Sequence, residues 1–343
     1  MSFLNKLQRY SIHFGIYFLI TFSIIAASVL ISELGPQPLS YTDESWNEVV
    51  PYVPPTNLSF NVIFDQHSHT KLVGGILTVE QNILWHIAMG FNACVITDHN
   101  TMRNSEDIAA MSLKYQDEFV VIQGMEYTNG RIHMNFIGIS SWDLRVPIEP
   151  NDEEIQEAID EVHLQGGVVT ANHYFETEED GKDNFPSREQ LILWGVDFIE
   201  IVNDNAYDEV SYEFCLENND SIGKFTGTDM HKPHDVFGWT GMNVDNFTKE
   251  GIMAELLKHD TTIIYDPEGI DEIGISTSNP WNVLLRPFYD FGGVLSEYHL
   301  GSGVLDGIGL VVFFSYYFVI FILIEVSIFW VKKYKEKKKE KTK

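Results

Sequence analysis

The stretch from Leu58 to Thr97, "LSFNVIFDQHSHTKLVGGILTVEQNILWHIAMGFNACVIT", decides the fold. Its first part, "LSFNVIF", alternates apolar and polar residues as a strand does. "TVEQNILWHIAMG" has a helical period, with Thr78 as a candidate N-cap and Gly90 as the end of the helix. "ACVIT" is typical of a buried strand. A strand, a helix and a strand in this order predict a parallel βαβ unit.

Similar patterns continue along the chain to about residue 268. They predict helices at "SEDIAAMSLKYQ", "DEEIQEAIDEVHLQGG", "SREQLILWG", "TKEGIMAELLKH" and around residues 207–216. They predict strands at "FVVIQGMEY", "IHMNFIGI", "VVTANH", "DFIEIVN", "KFTGTD" and "TTIIY". This many strand and helix units favour an α/β domain with a barrel-like parallel sheet, and an open doubly wound sheet is the alternative. In both folds, ligands bind beyond the carboxyl ends of the strands.

Both ends of the chain carry an apolar stretch, residues 11–32 and 308–331. Each is long enough to cross about 30 Å of hydrocarbon as a helix. Lys6 and Arg9 precede the first stretch, and the tail "KKYKEKKKEKTK" after the second holds eight lysines. The positive-inside rule therefore predicts cytoplasmic termini and an extracytoplasmic central domain. A cleaved secretory signal is the alternative for the first stretch, and the second would still tether the domain.

These features predict six segments along the chain. They are a cytoplasmic N-terminus with the first transmembrane helix (1–32), a proline-rich linker (33–57), the globular domain (58–268), a juxtamembrane segment (269–307), the second transmembrane helix (308–331) and a lysine-rich cytoplasmic tail (332–343).

The charge balance restricts the partners of the domain. The chain has 50 Asp and Glu residues against 22 Lys and Arg, a formal net charge of −28. Such a charge repels polyanions, so we expect no binding to long nucleic acid. Only two cysteines occur, and Cys94 lies in the apolar run "ACVIT", so no disulfide framework is implied. Sequons at Asn57, Asn219 and Asn246 fit an exported domain.

Histidines and carboxylates recur where predicted strands end. His67 and His69 are one residue apart, so on a strand both imidazoles point to one face. Four further strands end in His, Asp or Glu, and His133 opens another. Imidazole and carboxylate donors together suit Zn, Mn or Fe. We predict no ligand role for five histidines in helices or near the apolar stretches and leave His234 open. The five are His13, His86, His163, His259 and His299.

Five motifs in succession resemble those of the polymerase and histidinol phosphatase (PHP) superfamily. They are "DQHSHT", "GFNACVITDHNT", "GMEYTNGRIHMNFIGI", "GGVVTANH" and "GTDMHKPHD", within residues 60–240. The resemblance implies a distorted (β/α)7 barrel, here an α/β domain between two transmembrane helices. It also implies two or three divalent transition-metal ions (Zn, Mn or Fe) and hydrolysis of phosphate esters by metal-activated water.

The resemblance also implies roles for particular residues. Glu126 is implied as a bridging carboxylate, and Asp98, Glu126 and His231 are expected to take part in the reaction. The implied metal ligands are His67, His69, His99, Glu126, His133, His173, Asp229 and His231. One position departs from the family pattern, because Gly74 stands where many members have an aspartate. Near the motifs, Lys71, Arg103 and Lys232 are candidates for binding phosphate oxygens.

We therefore expect a membrane-anchored metal-dependent phosphoesterase whose partners are a small phosphorylated substrate and the lipid bilayer. Two alternatives remain open at this point. The metal centre can also polarise a carbonyl, which allows hydrolysis of a non-phosphate bond. A non-catalytic sensor or scaffold that retains the barrel is the other, and Gly74 is the feature in its favour.

Overall fold

The computed structural model describes residues 3–34, 39–41, 46, 50–179, 184–271, 277–278, 284–285, 287–288, 291–292 and 307–341. The chain forms two compact units. The terminal unit comprises Met1–Pro36, Trp281–His299 and Leu305–Lys343, and the central unit comprises Gln37–Pro280 and Leu300–Val304. Much of the two predicted connecting segments, 33–57 and 269–307, lies outside the described residues.

The strands of the central unit are short and alternate with helices over much of the chain. They are β1 (Leu39–Ser40), β2 (Val62–Asp65), β3 (Ala93–Ile96), β4 (Val120–Thr128), β5 (His133–Ile137), β6 (Val168–Ala171), β7 (Phe198–Asn203), β8 (Ala206–Tyr207), β9 (Gly223–Gly227), β10 (Val236–Met242), β11 (Thr262–Ile270) and β12 (Thr277–Ser278). The helices are α2 (Val79–Ala88), α3 (Ser105–Lys114), α4 (Asp152–Leu164), α5 (Tyr174–Glu179), α6 (Arg188–Trp194), α7 (Glu209–Glu217) and α8 (Lys249–Leu256).

Helix α2 shows how local sequence sets these boundaries. Thr78 Oγ1 accepts a hydrogen bond from the backbone N–H of Gln81 at 3.1 Å, and Gln81 Oε1 accepts one from the N–H of Thr78 at 3.2 Å. This reciprocal capping box satisfies two backbone donors that a helix start leaves free. The helix ends at Ala88, and Gly90 follows with φ +90°, a conformation that glycine adopts without strain. The predicted start and end of this helix are confirmed.

The main sheet is mixed and strongly curled. Its strand order is β11-β10-β2-β3-β4-β5-β6-β7-β8. Strand β9 lies outside this order and pairs with β7. The β2–β3, β3–β4, β6–β7 and β7–β9 pairs are parallel. The sheet returns on itself where the N–H of Thr226 on β9 donates to Thr240 Oγ1 on β10 at 2.9 Å. The α/β class is confirmed, in the form of a curled half-barrel.

The sheet differs from the expected parallel arrangement at three places, one of which is the short strand β8, antiparallel to β7. β4 and β5 form an antiparallel pair with no helix between them, and β5 is antiparallel to β6 as well. β10 is antiparallel to both β2 and β11, and the sequence pattern did not predict this strand. Gly238 and Gly241 interrupt its apolar alternation. A Cβ on Gly238 would lie 2.9 Å from Val202 Cγ1, so this glycine permits the close approach that curls the sheet.

Alternation along each strand separates the inside of the curl from the helix-covered outside. On β3, Ala93 and Val95 belong to a core that includes Phe198 and Phe225. Cys94 and Ile96 belong to a second core, shared with residues of α2 and α3. The rings of Phe198 and Phe225 stack with their centroids 3.9 Å apart, which fills the interior of the half-barrel. The polar side chains at the carboxyl ends of the strands therefore lie next to a closely packed hydrophobic core.

The terminal unit contains two long helices, α1 (Phe3–Leu34) and α9 (Gly307–Lys341). Their segments Gln8–Ile31 and Phe314–Lys335 have mean hydropathies of 2.3 and 2.1, and most of their side chains are exposed. Both are long and apolar enough to cross a membrane by length and composition. They contact each other through aromatic rings, and Tyr17 Oη donates to the carbonyl of Tyr317 at 2.9 Å.

Candidate metal centre

The fold gathers the predicted ligands at one end of the half-barrel. His67 and His69 follow β2, His99 follows β3, His173 follows β6, and Asp229 and His231 follow β9. Beyond the ends of β2 and β9 the two chains pair directly, because the N–H of His69 donates to the carbonyl of Met230 and that of Asp229 donates to the carbonyl of His67, both at 2.9 Å. The two ligand-bearing loops are thus held in register.

The eight predicted ligands fall into three groups. Within each group, the donor atoms lie within 4.8 Å of one another. Group one is His69, His99 and His231; group two is His67, His69 and Asp229; group three is Glu126, His133 and His173. His69 belongs to groups one and two. All eight predicted ligands therefore lie in groups that have the composition of a metal centre.

Asp229 draws groups one and two together. Its Oδ1 lies 3.0 Å from His69 Nε2 and 3.2 Å from both His67 Nε2 and His231 Nε2. The Nε2 atoms of His67 and His69 are themselves 3.2 Å apart. One carboxylate oxygen thus faces three imidazole nitrogens, which is the arrangement expected where donors converge on a cation.

Glu126 occupies the space between the groups. Its Oε1 lies 3.0 Å from His133 Nδ1 and 3.5 Å from His173 Nε2, within group three. Its Oε2 lies 2.5 Å from His99 Nδ1 and 3.6 Å from His69 Nε2, both in group one. The two oxygens of one side chain therefore face different groups.

The residues present fit a divalent transition metal. Glu126 Oε2 is buried and accepts no hydrogen bond from the described residues, although His99 Nδ1, which pairs with Thr128 Oγ1, lies close to it. His69 Nδ1 is a second buried polar atom of the site without a partner among the described residues. Buried polar atoms without partners are costly in a folded protein. A cation among these imidazoles and carboxylates would satisfy the carboxylate.

Burial and neighbouring charges shift the pKa values in this site. Burial alone would lower the pKa of His67, but the carboxylates of Asp229, Glu200 and Glu126 raise it well above the ordinary value. The pKa of His69 is held well below its ordinary value by burial and by two neighbouring imidazoles. The pKa values of Glu126 and Asp229 are lowered by surrounding histidines, which outweigh burial. Both carboxylates are therefore ionised at neutral pH, and His69 is a neutral imidazole with a free electron pair.

Two buried carboxylates that the sequence analysis did not single out support the ligand loops. Glu200, in the middle of β7, lies 3.1 Å from His67 Nδ1. Asp65, the last residue of β2, accepts from the N–H of His67 at 3.2 Å and lies 2.9 Å from His86 Nε2. His86 belongs to none of the three groups and lies below the site. A carboxylate inside an otherwise apolar strand, as in "DFIEIVN", was the available sequence signal for Glu200.

Asp98 lies beside the site but in a hydrogen-bond network of its own. Its Oδ1 accepts from the N–H of Thr70 at 2.6 Å, and its Oδ2 accepts from Thr70 Oγ1 at 2.7 Å and from Asn104 Nδ2 at 2.6 Å. Burial raises the pKa of Asp98 to about 6, against the lowering effect of these bonds and of His99 and His231. Asp98 belongs to no donor group.

The three candidate phosphate-binding cations are exposed side chains close in sequence to ligands. Lys71 follows His69 by two residues, Lys232 follows His231, and Arg103 lies in the loop after His99. None of the three side chains makes an ion pair or hydrogen bond with the part of the chain that the structure describes. They are thus uncommitted positive charges in a strongly acidic domain.

Gly74, where the family pattern has an aspartate, touches group one. It has φ +90°, and a Cβ there would lie 3.0 Å from His231 Nδ1 and 3.2 Å from His99 Cδ2. A hydrogen bond with the Gly74 backbone also contributes to the environment of His231. The backbone therefore occupies the space beside two imidazoles that a side chain would need.

The other histidines lie outside the three groups. His163 and His259 face Asp197, at 2.9 and 3.7 Å. His234 Nδ1 lies 2.6 Å from the carbonyl of Asp235, and His13 Nδ1 lies 2.5 Å from Glu325 in the terminal unit. His299 lies outside the described residues.

Comparison with known proteins gives similarity at the level of structure. No protein-family model and no curated protein matches the chain. A two-domain protein of Bacteroides vulgatus containing a predicted PHP-like metal-dependent phosphoesterase is 19% identical, with a TM-score of 0.49 over 71% of this chain and 73% of that one. A proposed metal-dependent phosphoesterase of Bifidobacterium adolescentis is 17% identical, with a TM-score of 0.42 over 57% of this chain and 96% of that one.

An amidohydrolase of Chromobacterium violaceum, solved with bound sulfate and no metal, is also similar. It is 14% identical, with a TM-score of 0.38 over 60% of this chain and 99% of that one. At these identities and TM-scores, the likeness is no basis for assigning a function.

Proposed function

We propose that this protein is a membrane-anchored metal-dependent hydrolase, most specifically a phosphoesterase that acts on a small phosphorylated compound. The observation that carries the proposal is the buried Glu126 carboxylate, whose two oxygens face imidazoles of two different donor groups. A centre that holds two or three ions close together suits hydrolysis of phosphate esters.

The three donor groups would hold divalent Zn, Mn or Fe through imidazole nitrogens and the carboxylates of Glu126 and Asp229. Ions bound there supply Lewis-acid activation of water and of the phosphoryl oxygens. His231, which lies on the rim and is more exposed than His67 or His69, is proposed to take part in the reaction through the ion that it holds next to the scissile bond. Asp98 is proposed to act through Thr70 and Asn104, by fixing the loop that follows His69.

The charge distribution supports a small anionic substrate. Lys71, Arg103 and Lys232 are proposed to bind its non-bridging oxygens, because cations near a phosphate form strong charge-assisted hydrogen bonds. The formal net charge of −28 disfavours long polyanions, whereas a small ester has few charges to be repelled.

The two apolar helices support anchoring in a bilayer. With Lys6 and Arg9 before the first and the lysine tail after the second, both termini are proposed to be cytoplasmic and the metal centre extracytoplasmic. Protease added outside sealed right-side-out vesicles would test this topology, because it should cut the central unit and leave both termini intact. Cleavage of the central unit only by protease inside the vesicles would contradict it.

The enzyme proposal is tested on the full-length chain in detergent. The protein is stripped with chelator, reloaded with Zn, Mn or Fe(II) anaerobically, and assayed with p-nitrophenyl phosphate and bis-p-nitrophenyl phosphate. We expect two or more ions per chain, and loss of both metal and turnover in the His67→Ala/His69→Ala double variant. His163→Ala is the matched control, because this histidine pairs with Asp197 outside the groups.

Three results would contradict this proposal in different ways. Absence of metal in the wild-type protein under all three loading conditions would eliminate the hydrolase. Stoichiometric metal with hydrolysis of amide, lactone or carboxylic ester substrates but of no phosphoester would indicate a non-phosphate bond. Metal without turnover on any of these substrates would favour a sensor or scaffold.

A further inference from the structure

Glu200 is a buried carboxylate that ties together residues from three parts of the chain. Its Oε1 accepts hydrogen bonds from Gln66 Nε2 at 2.7 Å and from His67 Nδ1 at 3.1 Å. Its Oε2 accepts from the backbone N–H of His173 at 2.6 Å and from Asn203 Nδ2 at 3.0 Å. The side chain has no solvent exposure. Both oxygens are thus fully used by donors.

The contact with His67 fixes which ring nitrogen of this imidazole faces the other members of group two. An ionised carboxylate only accepts hydrogen bonds, so His67 Nδ1 carries the proton in this contact. The opposite nitrogen, Nε2, faces Asp229 Oδ1 at 3.2 Å. A carboxylate that binds one nitrogen of a ligand histidine orients the ring and increases the basicity of the other nitrogen.

The contact with His173 acts on the backbone of group three. His173 has φ +28°, in the left-handed region that a residue with a Cβ rarely adopts. Such a conformation costs on the order of 1–3 kcal/mol and persists only where surrounding contacts hold it. The hydrogen bond from its N–H to Glu200 is one such contact, and it directs His173 towards Glu126.

The chain leaves room for this carboxylate at Gly227, on the neighbouring strand β9. A Cβ on Gly227 would lie 1.7 Å from Glu200 Oε1 and 2.8 Å from Gln66 Nε2. No side chain fits at this position without displacing the carboxylate. Gly227 therefore gives a way to move Glu200 without changing its charge or any predicted ligand.

We propose that Glu200 is a positioning residue that couples the binding of ions by group two and group three, through His67 and His173. The inference rests on the proposed function in that it requires metal to bind. Group one lacks a direct contact with Glu200 among the described residues, and Glu200 reaches it only through His69, Glu126 and Asp229, which the groups share. We therefore expect the ion of group one to depend least on this carboxylate.

Gly74 provides the reciprocal test, because the atoms nearest to a Cβ at this position belong to His231 and His99 of group one. Gly74→Ala would displace these two imidazoles, and its positive φ adds strain. Glu200→Gln and Gly74→Ala are therefore expected to weaken different ions of the same centre.

The experiment measures ions per chain against free Zn²⁺, and the visible absorption of bound Co²⁺, on the full-length protein in detergent. Loss of an outer partner of a metal ligand typically costs 10–100-fold in affinity. In Glu200→Gln we expect the ions of groups two and three to bind about 10–100-fold more weakly and the ion of group one to be weakened least. Adding His231→Ala should then remove the remaining ion. Gly74→Ala should weaken one ion only and leave the others.

Circular dichroism of the metal-free variants separates positioning from folding. If Glu200→Gln does not fold, Gly227→Ala replaces it in the test, because this change keeps the carboxylate but displaces it. The same pattern of weakened ions is expected in Gly227→Ala. Wild-type affinity for every ion in a folded Glu200→Gln protein would overturn the inference, as would equal weakening of all ions. A wild-type protein that binds no metal would instead refute the proposed function, which is a separate result.

Discussion

Glu126 and His133 face each other across the turn between β4 and β5, with Oε1 and Nδ1 3.0 Å apart. The two strands are antiparallel, and Thr128 pairs with His133 next to the turn that joins them. The first residue of β5 therefore lies at the same edge of the sheet as the last residues of the parallel strands. This is why His133 joins group three although it begins a strand.

Glu126→Gln is expected to lose at least one ion per chain and most of the turnover. The amide keeps the size of the side chain but lacks the charge, and one of its two positions becomes a donor facing imidazoles. The loss of affinity should reach at least the roughly 10–100-fold seen for outer partners of metal ligands. Metal analysis and the phosphoester assay measure it. Glu217→Gln, an exposed residue of α7, is the control, and unchanged metal content in Glu126→Gln would contradict the bridging role.

Asp98→Asn is expected to lower the free energy of unfolding of the metal-free protein by about 1–3 kcal/mol. The new amide would place a donor against Thr70 or Asn104, which themselves donate, and would leave buried polar groups unpaired. Denaturant unfolding in the presence of chelator measures the change, with the exposed Asp117→Asn as control. Unchanged stability together with complete loss of turnover would instead indicate that Asp98 reacts with the substrate directly.

Lys71→Ala, Arg103→Ala and Lys232→Ala are each expected to raise KM for a phosphomonoester with little change in stability or metal content. Each removes an exposed charge that is free of ion pairs with the described residues, so the folded state loses little. A charge-assisted hydrogen bond to phosphate is worth about 1.5–3 kcal/mol, which corresponds to roughly 10-fold or more in KM. Arg145→Ala is the matched control, because this arginine is also exposed and unpaired among the described residues. Unchanged KM in all three variants would exclude these cations from substrate binding.

The His163 and Asp197 pair is expected to make stability depend on pH. The hydrogen bond to Asp197 raises the pKa of His163, so its contribution is fully present below the ordinary pKa of about 6.5 and is lost as pH rises through the raised value. Burial would raise the pKa of Asp197, but hydrogen bonds from His163, His259 and the N–H of Val169 lower it, so this carboxylate stays ionised in that range.

The comparison is between wild-type protein and His163→Gln, by thermal unfolding of the metal-free protein from pH 5 to pH 9. The difference in Tm should be largest at the acid end and should shrink as pH rises. A difference that is the same at every pH would show that His163 contributes by packing alone.

Glu325 is expected to hold the two apolar helices together. Its carboxylate lies 2.5 Å from His13 Nδ1 and 3.6 Å from Arg9, and its side chain is only 11% exposed. Ionisable residues within apolar helices pair with one another because an unpaired charge is costly there. In Glu325→Leu, cross-linking of a Phe14→Cys/Phe321→Cys pair by a short bis-maleimide in membranes should fall several-fold.

The native rings at these two positions have their centroids 5.6 Å apart, so the engineered thiols lie within reach of the reagent. Protein with the Phe14→Cys change alone controls for cross-links between chains. Equal yield with and without Glu325 would show that the two helices associate without this carboxylate.

Much of the fold was predictable because local patterns decide it. The cap at Thr78, the helical periods and the apolar runs are short-range signals, and the structure has the corresponding elements. β10 was missed because its two glycines satisfy a long-range requirement: Val202 approaches Gly238 closely, and Phe60 approaches Gly241 closely. No local pattern reveals that requirement.

The candidate site shows the same limit. Strand ends locate histidines, since the position of a residue after an apolar run is visible in the sequence. Glu200 sits in the middle of a strand, and its partners come from β2, β6 and Gly227 on β9. Only the assembled sheet brings these residues together. The sequence therefore shows an unusual carboxylate within an apolar strand but does not predict its hydrogen-bond partners.

The pairing of the His67 loop with the Asp229 loop has a consequence for folding. The loops after β2 and β9 are far apart in the chain and meet at the site. Bringing such distant segments together costs loop-closure entropy. A chain that bound metal at these groups would therefore have brought the two loops together, and its metal content would serve as a readout of correct assembly.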